Sequence, residues 1–378
     1  MMNQTKIVVL THVYDQVDLL KNFFDWYTQL GVDAFLVQDM GSTDGTLELL
    51  QELAQHYPME WFSLEQKNLR EHRFGNTGDE MALLAREKLD PKWLMMCDAD
   101  EFLVLEHDSL SIALEKAEAR GLTSIEIPCF NMTGRALPVG GDAVALLSLR
   151  IVSPYVETAE QQVSGVLPQP FIFIRHRHKS IVLASAFSGY NPGSHGALVR
   201  FGQTGQINGA WFNHYSIRGY DTFEQKIRNV EAFLSANDHL PSWWGWHWRR
   251  WVRLYRLGQL RADYDAQFVS EADEVKLIEN GTCVLDRQVA DWVHGMSLGR
   301  SIAPPDRQHV AATGGEVMFH DWFLSAGVFE LPEWIDASSR LAFSPFLFWL
   351  VQALQPRLIL DIGAADGYSW STLCQALD

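Results

Sequence analysis

The chain has 378 residues, of which 47% are hydrophobic and 20% charged, a composition typical of a soluble protein with a sizeable core and a length that suits two domains. Its formal net charge of −17 argues against a nucleic-acid partner, because phosphate binding favours a basic surface. The four cysteines form no CxxC pair, and no apolar run approaches the roughly 18 residues of a spanning helix, so we expect no zinc site, no disulfide framework and no transmembrane segment.

Strand and helix patterns alternate through the first hundred residues. Buried strands are expected at 6–11, 33–39, 59–65 and 93–98, with helices over 17–30, 46–56 and 77–89. Such alternation predicts an α/β fold with a mainly parallel sheet flanked by helices. Ligands bind such sheets at the carboxyl ends of the strands, so the turn at 39–46 and the residues after Cys97 are expected on one rim.

The pattern loosens after residue 124. Shorter strand-like runs follow at 124–130, 145–152, 170–175, 179–184, 196–201 and 209–217. Two helical stretches come next, at 221–237 and roughly 241–262, and a Pro-rich break lies at 303–305. The chain therefore carries a second, less regular region after its strand–helix half.

Three carboxylates crowd the end of the fourth strand, where Asp98, Asp100 and Glu101 fall within four residues. In an extended backbone residues two apart share a face, so Asp98 and Asp100 can point at one object. A hard divalent cation would remove their repulsion, and Mg²⁺ typically takes one or two carboxylates together with substrate phosphates. The alternative is a solvated strand end followed by a helix or turn.

The order of these elements resembles glycosyltransferases of the GT-A fold, the family 2 type and its relatives. The turn 39–46 reads DMGSTDGT and matches the turn that closes the second strand in those proteins, while DADEF at 98–102 matches their DxD. Segment 25–33, DWYTQLGVD, resembles the EW…GVD segment of a bacterial subgroup, with Asp25 where that subgroup usually has Glu. The run from Asn213 to Lys226 resembles the HY…F..K ending of that subgroup. The resemblance covers about residues 5–235.

The resemblance implies site residues on the rim of the sheet. Donor-binding residues would be Thr11, Asp39, Arg73 and Asp98, with Thr11 and Asp39 at the nucleobase and ribose. Metal ligands, for Mn²⁺ or Mg²⁺, would be Asp98, Asp100 and His214, with Asp100 favoured as the direct ligand. Arg73 would reach the diphosphate or else is a solvated arginine, and Asp44 would hold the turn.

The implied chemistry is displacement at the anomeric carbon of the sugar with inversion, and it needs a base for the acceptor hydroxyl. No clear Glu-Asp base motif follows the acidic cluster. Glu157 and Glu160 are candidates, although each also fits a solvated loop acid. His195 in NPGSHG, together with Lys179, parallels a Lys…His pair of the subgroup and is a further catalytic candidate; a structural histidine is the alternative.

We therefore expect a metal-dependent glycosyltransferase that moves a sugar from a nucleotide-diphosphate sugar to a glycan or lipid-linked acceptor in bacterial surface polysaccharide synthesis. Two alternatives stay open: an inactive nucleotide-sugar or carbohydrate-binding module, and a DxD metal-dependent phosphohydrolase, although Phe102 stands where the phosphohydrolase motif DxDx[T/V] has Thr or Val. A sugar-nucleotide pyrophosphorylase would need a Gly-rich loop with Arg after the first strand, and residues 11–14 read THVY.

Segment 241–261 contains five tryptophans and five arginines and no acidic residue. On a helix one stripe would be formed by Trp244, Trp248, Trp251 and Tyr255, with Arg249, Arg253 and Arg256 largely opposite. This arrangement fits an interfacial helix on an anionic membrane or a helix packed on the core. The expected location is cytoplasmic, with peripheral contact to the inner face of the membrane if the helix is interfacial.

The C-terminal end carries a different motif. Residues 357–369, RLILDIGAADGYS, resemble the first motif of class I methyltransferases, with Asp361, Gly363 and Gly367 in place. Because little chain follows, a fragment of such a domain without activity is expected. The predicted division is a GT-A domain at 1–240, a helical extension at 241–340 and this fragment at 341–378.

Overall fold

A computed structural model describes residues 6–63, 77–191, 194–237, 240–241 and 245–297. The strand–helix half matches the prediction closely. Its strands are β1 Ile7–Val13, β2 Ala34–Asp39, β3 Met59–Ser63 and β4 Trp93–Met96, and its helices are α1 Leu20–Gln29, α2 Thr46–Leu53 and α3 Thr77–Lys88. Gly31, with a φ of 89°, follows the end of α1, because glycine adopts the left-handed conformation without strain.

The middle of the chain adds short strands between a few helices. They are β5 Glu101–Leu105, α4 Leu110–Ala119, β6 Leu122–Ile127, β7 Cys129–Thr133, α5 Ala143–Leu146, β8 Leu149–Ile151, α6 Ala159–Ser164, β9 Lys179–Leu183, β10 Phe187–Tyr190, β11 Ala197–Val199, β12 Gln203–Gln206 and β13 Ala210–His214. The last described elements are α7 Tyr220–Ala236, α8 Trp246–Arg256, α9 Leu260–Asp265, α10 Glu271–Glu279, β14 Cys283–Leu285 and α11 Gln288–Ser297.

The main sheet has seven strands in the order β12-β6-β9-β4-β1-β2-β3. β1 pairs in parallel with β2 and β4, β2 pairs in parallel with β3, and only β9 runs antiparallel to both of its neighbours among these strands. Alternate residues of β1 face opposite layers: Ile7 and Val9 pack in the cluster that contains α1, whereas Val8 and Leu10 pack with α3. The predicted α/β fold with a mainly parallel sheet flanked by helices is confirmed.

A second sheet of five strands, in the order β14-β8-β7-β13-β5, was not predicted. The chain passes from the first sheet to the second between β4 and β5 and again between β6 and β7. One hydrophobic cluster spans both sheets, with Trp93 of β4 and Phe102 of β5 fully buried in it. Residues 98–101, the acidic turn, therefore lie where the two sheets meet.

Two predicted elements differ in detail. The run 170–175 was expected to be strand-like, but residues Phe171–Phe173 form a 3₁₀ turn. The amide of Asn131 donates to the carbonyls of Ile172 and Ile174, which a regular strand would use in its ladder. The helix expected over 241–262 is divided into α8 and α9 by Gly258, whose φ is 68°.

The aromatic face of α8 packs inward, as in the core-packed alternative for segment 241–261. Trp251 and Val252 are buried in a third cluster with Ile151, Phe173 and Phe223, and Trp248 and Tyr255 pack against its edge. Residues 246–297 thus share hydrophobic clusters with the chain before residue 240. The three-part domain division stays a prediction.

The methyltransferase-like motif at 357–369 and Trp244 lie outside the described residues. Among the helices that the structure describes, none combines the length and apolar character needed to cross a bilayer.

Candidate functional site

The acidic turn is fixed at the junction of the two sheets. The Asp98 amide donates to Glu101 Oε2 at 2.8 Å, and the Glu101 amide donates to the Asp98 carbonyl at 3.0 Å. From the β13 side, the Tyr215 amide donates to the carbonyl of Asp100. The side chain of Asp98 is 51% exposed and that of Asp100 only 8%. The Asp98 carboxylate therefore lies at the opening of the site, and the Asp100 carboxylate lies in its wall.

A buried lysine neutralises part of this cluster. Lys179, the first residue of β9, places Nζ 2.9 Å from Asp98 Oδ2 and 3.0 Å from Glu101 Oε2. Burial lowers the pKa of Lys179, but the two carboxylates outweigh it and raise that pKa well above its usual value. Burial likewise raises the pKa of Asp98, and Lys179 outweighs it and holds that pKa below its usual range. The protein thus offsets some of the repulsion for which the sequence suggested only a metal ion.

His214 ends β13 and faces Asp100. Its Nε2 lies 3.7 Å from Asp100 Oδ1, and its Nδ1 lies 2.7 Å from Asn131 Oδ1. Because the Asn131 amide nitrogen donates to two backbone carbonyls, its oxygen must be the acceptor from His214 Nδ1–H. Burial lowers the pKa of His214, ahead of the opposing effect of the Asp100 and Asp98 carboxylates, and so favours the neutral ring. Its Nε2 lone pair is left facing the Asp100 carboxylate.

Two further imidazoles pack beside His214. The ring of His176 lies 4.3 Å from that of His214 and 5.4 Å from that of His195. Burial, aided by His214, lowers the pKa of His176 well below its usual value, and burial lowers the pKa of His195 to about 4. The charges of Lys179 and Asp98 both act on His195. The structure therefore brings His195 to the acidic cluster.

The loop that carries His195 is anchored on the first turn of α3. Asp79 Oδ1 accepts a hydrogen bond from the Tyr190 amide at 2.6 Å, just before the loop. A Cβ atom at Gly78 would come within 2.9 Å of Ser194 Oγ and 3.2 Å of the Tyr190 ring, so any larger residue would have to displace these side chains. Among the described residues, the buried Nδ1 of His195 has no hydrogen-bond partner.

The turn after β2 is held by its own acidic residues. Asp39 is fully buried and accepts hydrogen bonds from the amides of Gly41 and Ser42 and from the Ser63 hydroxyl. Asp44 accepts from the amides of Val17 and Thr46, which supports the turn-holding role expected for it.

Thr11 is also fully buried, and its hydroxyl lies 3.5 Å from the carbonyl of His12. A nucleobase could contact Thr11 or Asp39 only if surrounding groups moved. Their donor-binding roles stay predictions.

A second cation faces the site from α7. Lys226 is half-buried, and its Nζ lies 5.1 Å from the centre of the Trp248 ring. Burial lowers the pKa of Lys226, whereas the Asp100 and Asp98 charges raise it, which places the ammonium within their influence. Asn229, one turn further along α7, donates to Asp15 Oδ2 at 2.7 Å and ties the helix to the loop after β1.

Glu157 and Glu160 lie apart from this cluster. Glu160 is exposed in the first turn of α6, and Glu157 accepts a hydrogen bond from Gln162. Among the described residues no contact joins either glutamate to the acidic turn or to the histidines, and their role as base stays a prediction. Arg73 lies outside the described residues.

Sequence reasoning missed several residues of this site, namely Cys129, Asn131, His176, Lys179 as a carboxylate partner, and Lys226 as a site cation. The run RHRHK at 175–179 is a local signal that could have indicated part of it, since four basic or imidazole side chains precede a buried strand. Asn131 and Cys129 carry no such signal, because only the pairing of β7 with β13 brings them to His214.

The chain is similar to solved structures but matches neither a family model nor a curated protein. Solved structures of S. aureus TarS are similar at 13% identity and a TM-score of 0.33, covering 61% of this chain and 40% of that one. The structure of S. aureus TarS 1–349 is 12% identical, covers 82% of this chain and 95% of that chain, and has a TM-score of 0.33. The structure of TarS 1–349 in complex with UDP is 10% identical, covers 99% of this chain and 89% of that chain, and has a TM-score of 0.35. The chain spans less than half the length of the first of these. At such TM-scores the likeness carries no argument about this chain.

Proposed function

We propose that the protein is a metal-dependent glycosyltransferase that moves a sugar from a nucleotide-diphosphate sugar to a glycan or lipid-linked acceptor, with inversion at the anomeric carbon, in bacterial surface polysaccharide synthesis. The observation that carries the proposal is the convergence of Asp100 with His214 at 3.7 Å, with the other nitrogen of His214 fixed by Asn131. Metal-binding histidines typically have their second nitrogen held in this way. The turn DMGSTDGT and the cluster DADEF add the family resemblance.

The donor set fits a divalent cation, Mn²⁺ or Mg²⁺. Asp100 and His214 would hold the ion, with the half-exposed Asp98 completing the set or contacting the ribose. Oxygen ligands suit both ions, and the imidazole favours Mn²⁺. When bound, the ion would neutralise charge on the diphosphate and on the departing nucleoside diphosphate.

Lys226 would assist the same leaving group. Its ammonium lies within the influence of Asp100 and Asp98 and rests on Trp248, and no carboxylate pairs with it among the described residues. A desolvated cation beside a metal-bound diphosphate would stabilise the charge that grows as the glycosidic bond breaks.

His195 is the catalytic candidate that lies beside the acidic cluster. Its neutral ring and its buried, unpartnered Nδ1 suit a group that accepts a proton from the acceptor hydroxyl or orients the sugar. Glu157 and Glu160 would need an acceptor-bound rearrangement to reach the same place.

The test is turnover of a panel of nucleotide sugars, with Mn²⁺ or Mg²⁺ and with chelator. We expect metal-dependent release of nucleoside diphosphate from one donor, slow with water and faster with the correct acceptor, and a loss of most of this rate in His195→Gln. Tight donor binding without any turnover would instead indicate a binding module. Phosphate release from simple monoesters without donor turnover would indicate a phosphohydrolase.

A further inference from the structure

Three metal-ligating side chains meet on the inner side of the site. Cys129 is the first residue of β7, His176 precedes β9, and His214 is the last residue of β13. One donor atom from each lies within 4.8 Å of the other two. Cys129 is 4% exposed, and its Sγ lies 3.9 Å from Glu101 Oε1. The three residues come from separate parts of the chain, so their meeting is a product of the fold.

The imidazoles of His176 and His214 both carry a proton on Nδ1. His176 Nδ1 lies 2.9 Å from the carbonyl of Arg177, which can only accept, so this nitrogen carries the proton. His214 Nδ1–H donates to Asn131. Each ring therefore keeps its lone pair on Nε2, and a backbone or amide oxygen fixes its orientation. Partners of this kind around metal-binding histidines set the tautomer and raise the basicity of the ligand.

We propose that Cys129, His176 and His214 form a binding site for a borderline transition-metal ion of the Zn²⁺ class. A thiolate with two imidazoles is the donor set that such ions favour over Mg²⁺. As the sulfur–metal bond forms, the Cys129 thiol loses its proton to solvent, and no electron is transferred. A tetrahedral site has ligand–ligand distances of about 3.3–3.8 Å, so the donor atoms, now within 4.8 Å of one another, would approach by up to about 1.5 Å.

The site shares His214 with the carboxylate site of the proposed function. Because His214 Nδ1 is engaged by Asn131, only Nε2 is available, and it can serve one ion at a time. A thiophilic ion at Cys129 and His176 therefore removes a ligand from an ion at Asp100. This competition rests on the proposed function, whereas the binding of the thiophilic ion does not.

Cobalt(II) is the probe, because a thiolate ligand gives Co²⁺ an intense near-ultraviolet charge-transfer absorption that carboxylates and imidazoles do not give. The full chain, reduced and freed of metal, is titrated with Co²⁺ alone. We expect the band to saturate at one equivalent and to disappear when one equivalent of Zn²⁺ is added. Cys129→Ser should abolish the band, and His176→Gln should weaken Co²⁺ binding at least about tenfold.

The matched control is Cys97→Ser, since Cys97 is also a buried thiol near Glu101 but lies 3.6 Å from the Tyr27 hydroxyl and outside the histidine cluster. It should retain the full band. Asp100→Asn should also retain it, even where it abolishes donor turnover, so failure of this proposal and failure of the proposed function are distinguishable. Absence of the band in the wild type, or its persistence in Cys129→Ser, would overturn the proposal. If Cys129→Ser does not fold, an unchanged Co²⁺ affinity in folded His176→Gln would overturn it equally.

Discussion

Lys179 is the buried cation that pairs with the carboxylates of the acidic turn. Its ammonium contacts two carboxylates and is 1% exposed, and Glu101 is fully buried. A buried charge is tolerated when its partner is present and is costly when the partner is removed. The pair therefore contributes to stability mainly because each charge prevents the other from being buried without a partner.

The first prediction is that Lys179→Met lowers the free energy of unfolding by about 3–5 kcal/mol, the typical cost of removing one partner from a buried ion pair. Chemical denaturation measures it. The double variant Lys179→Met/Glu101→Gln should recover part of the loss, because it removes the uncompensated carboxylate. Lys116→Met, at an exposed lysine paired with Asp108, is the control and should change stability by less than about 0.5 kcal/mol. A loss below about 1 kcal/mol in Lys179→Met would contradict this role.

Lys226 makes a prediction about binding. Lys226→Gln should weaken the affinity for nucleoside diphosphates about 10- to 100-fold, as expected for the loss of a hydrogen bond between charged groups. It should leave the affinity for the nucleoside alone unchanged, because the ammonium would contact only the phosphates. Calorimetry measures both affinities. Arg228→Gln, on the same helix but paired with Glu224, is the control and should bind as the wild type does. Equal losses of affinity for the nucleoside and for the nucleoside diphosphate would contradict a contact between Lys226 and the phosphates.

Helix α8 pairs two of its arginines with acidic residues of the protein itself. Trp251 is 3% exposed, and its Nε1 donates to Asp263 Oδ2 at 2.9 Å. Arg250 also pairs with Asp263, and Arg256 pairs with Glu231. The sequence left open whether the aromatic stripe of α8 contacts lipid or the protein core. In the structure the stripe lies partly in the core, and two arginines of α8 have acidic partners.

For α8 we predict that Trp251→Ala costs about 3–5 kcal/mol of stability, as truncation of large core aromatics does. Leu257→Ala, at a side chain 62% exposed, should cost little. The wild type should not co-sediment with anionic vesicles at low salt. Binding at low salt that fades as salt rises, because counterions screen the attraction, would show that arginines of this segment contact lipid.

Across the whole molecule, what could be predicted from the sequence was local. The strands and helices up to residue 97 follow from hydrophobic periods and turn residues, and the turn with Asp39 and Asp44 follows from its glycines and acids. The second sheet could not be predicted, since β5, β7 and β13 are paired by contacts between residues far apart in the chain.

The same limit applies to the site. Asp98, Asp100 and His214 were predicted as metal ligands from motifs, and the structure brings Asp100 and His214 together. The contact of Asn131 with His214 and that of Lys179 with Asp98 could not be assigned, because 83 and 81 residues of chain separate the two partners. A local motif therefore predicts candidate ligands, whereas the groups that orient and neutralise them depend on how the two sheets meet.

The most direct measurement of the central proposal is calorimetric titration of nucleoside diphosphates of each common base, with Mn²⁺ and with chelator, into the wild type and Asp100→Asn. The variant keeps the backbone carbonyl that accepts from the Tyr215 amide and removes one charge from the acidic cluster, so its unfolding temperature should be unchanged or slightly higher. We predict that Mn²⁺ tightens binding of one diphosphate to the wild type at least about tenfold and that Asp100→Asn loses this gain. A wild type indifferent to Mn²⁺, or an Asp100→Asn variant with the full metal-dependent gain, would contradict it.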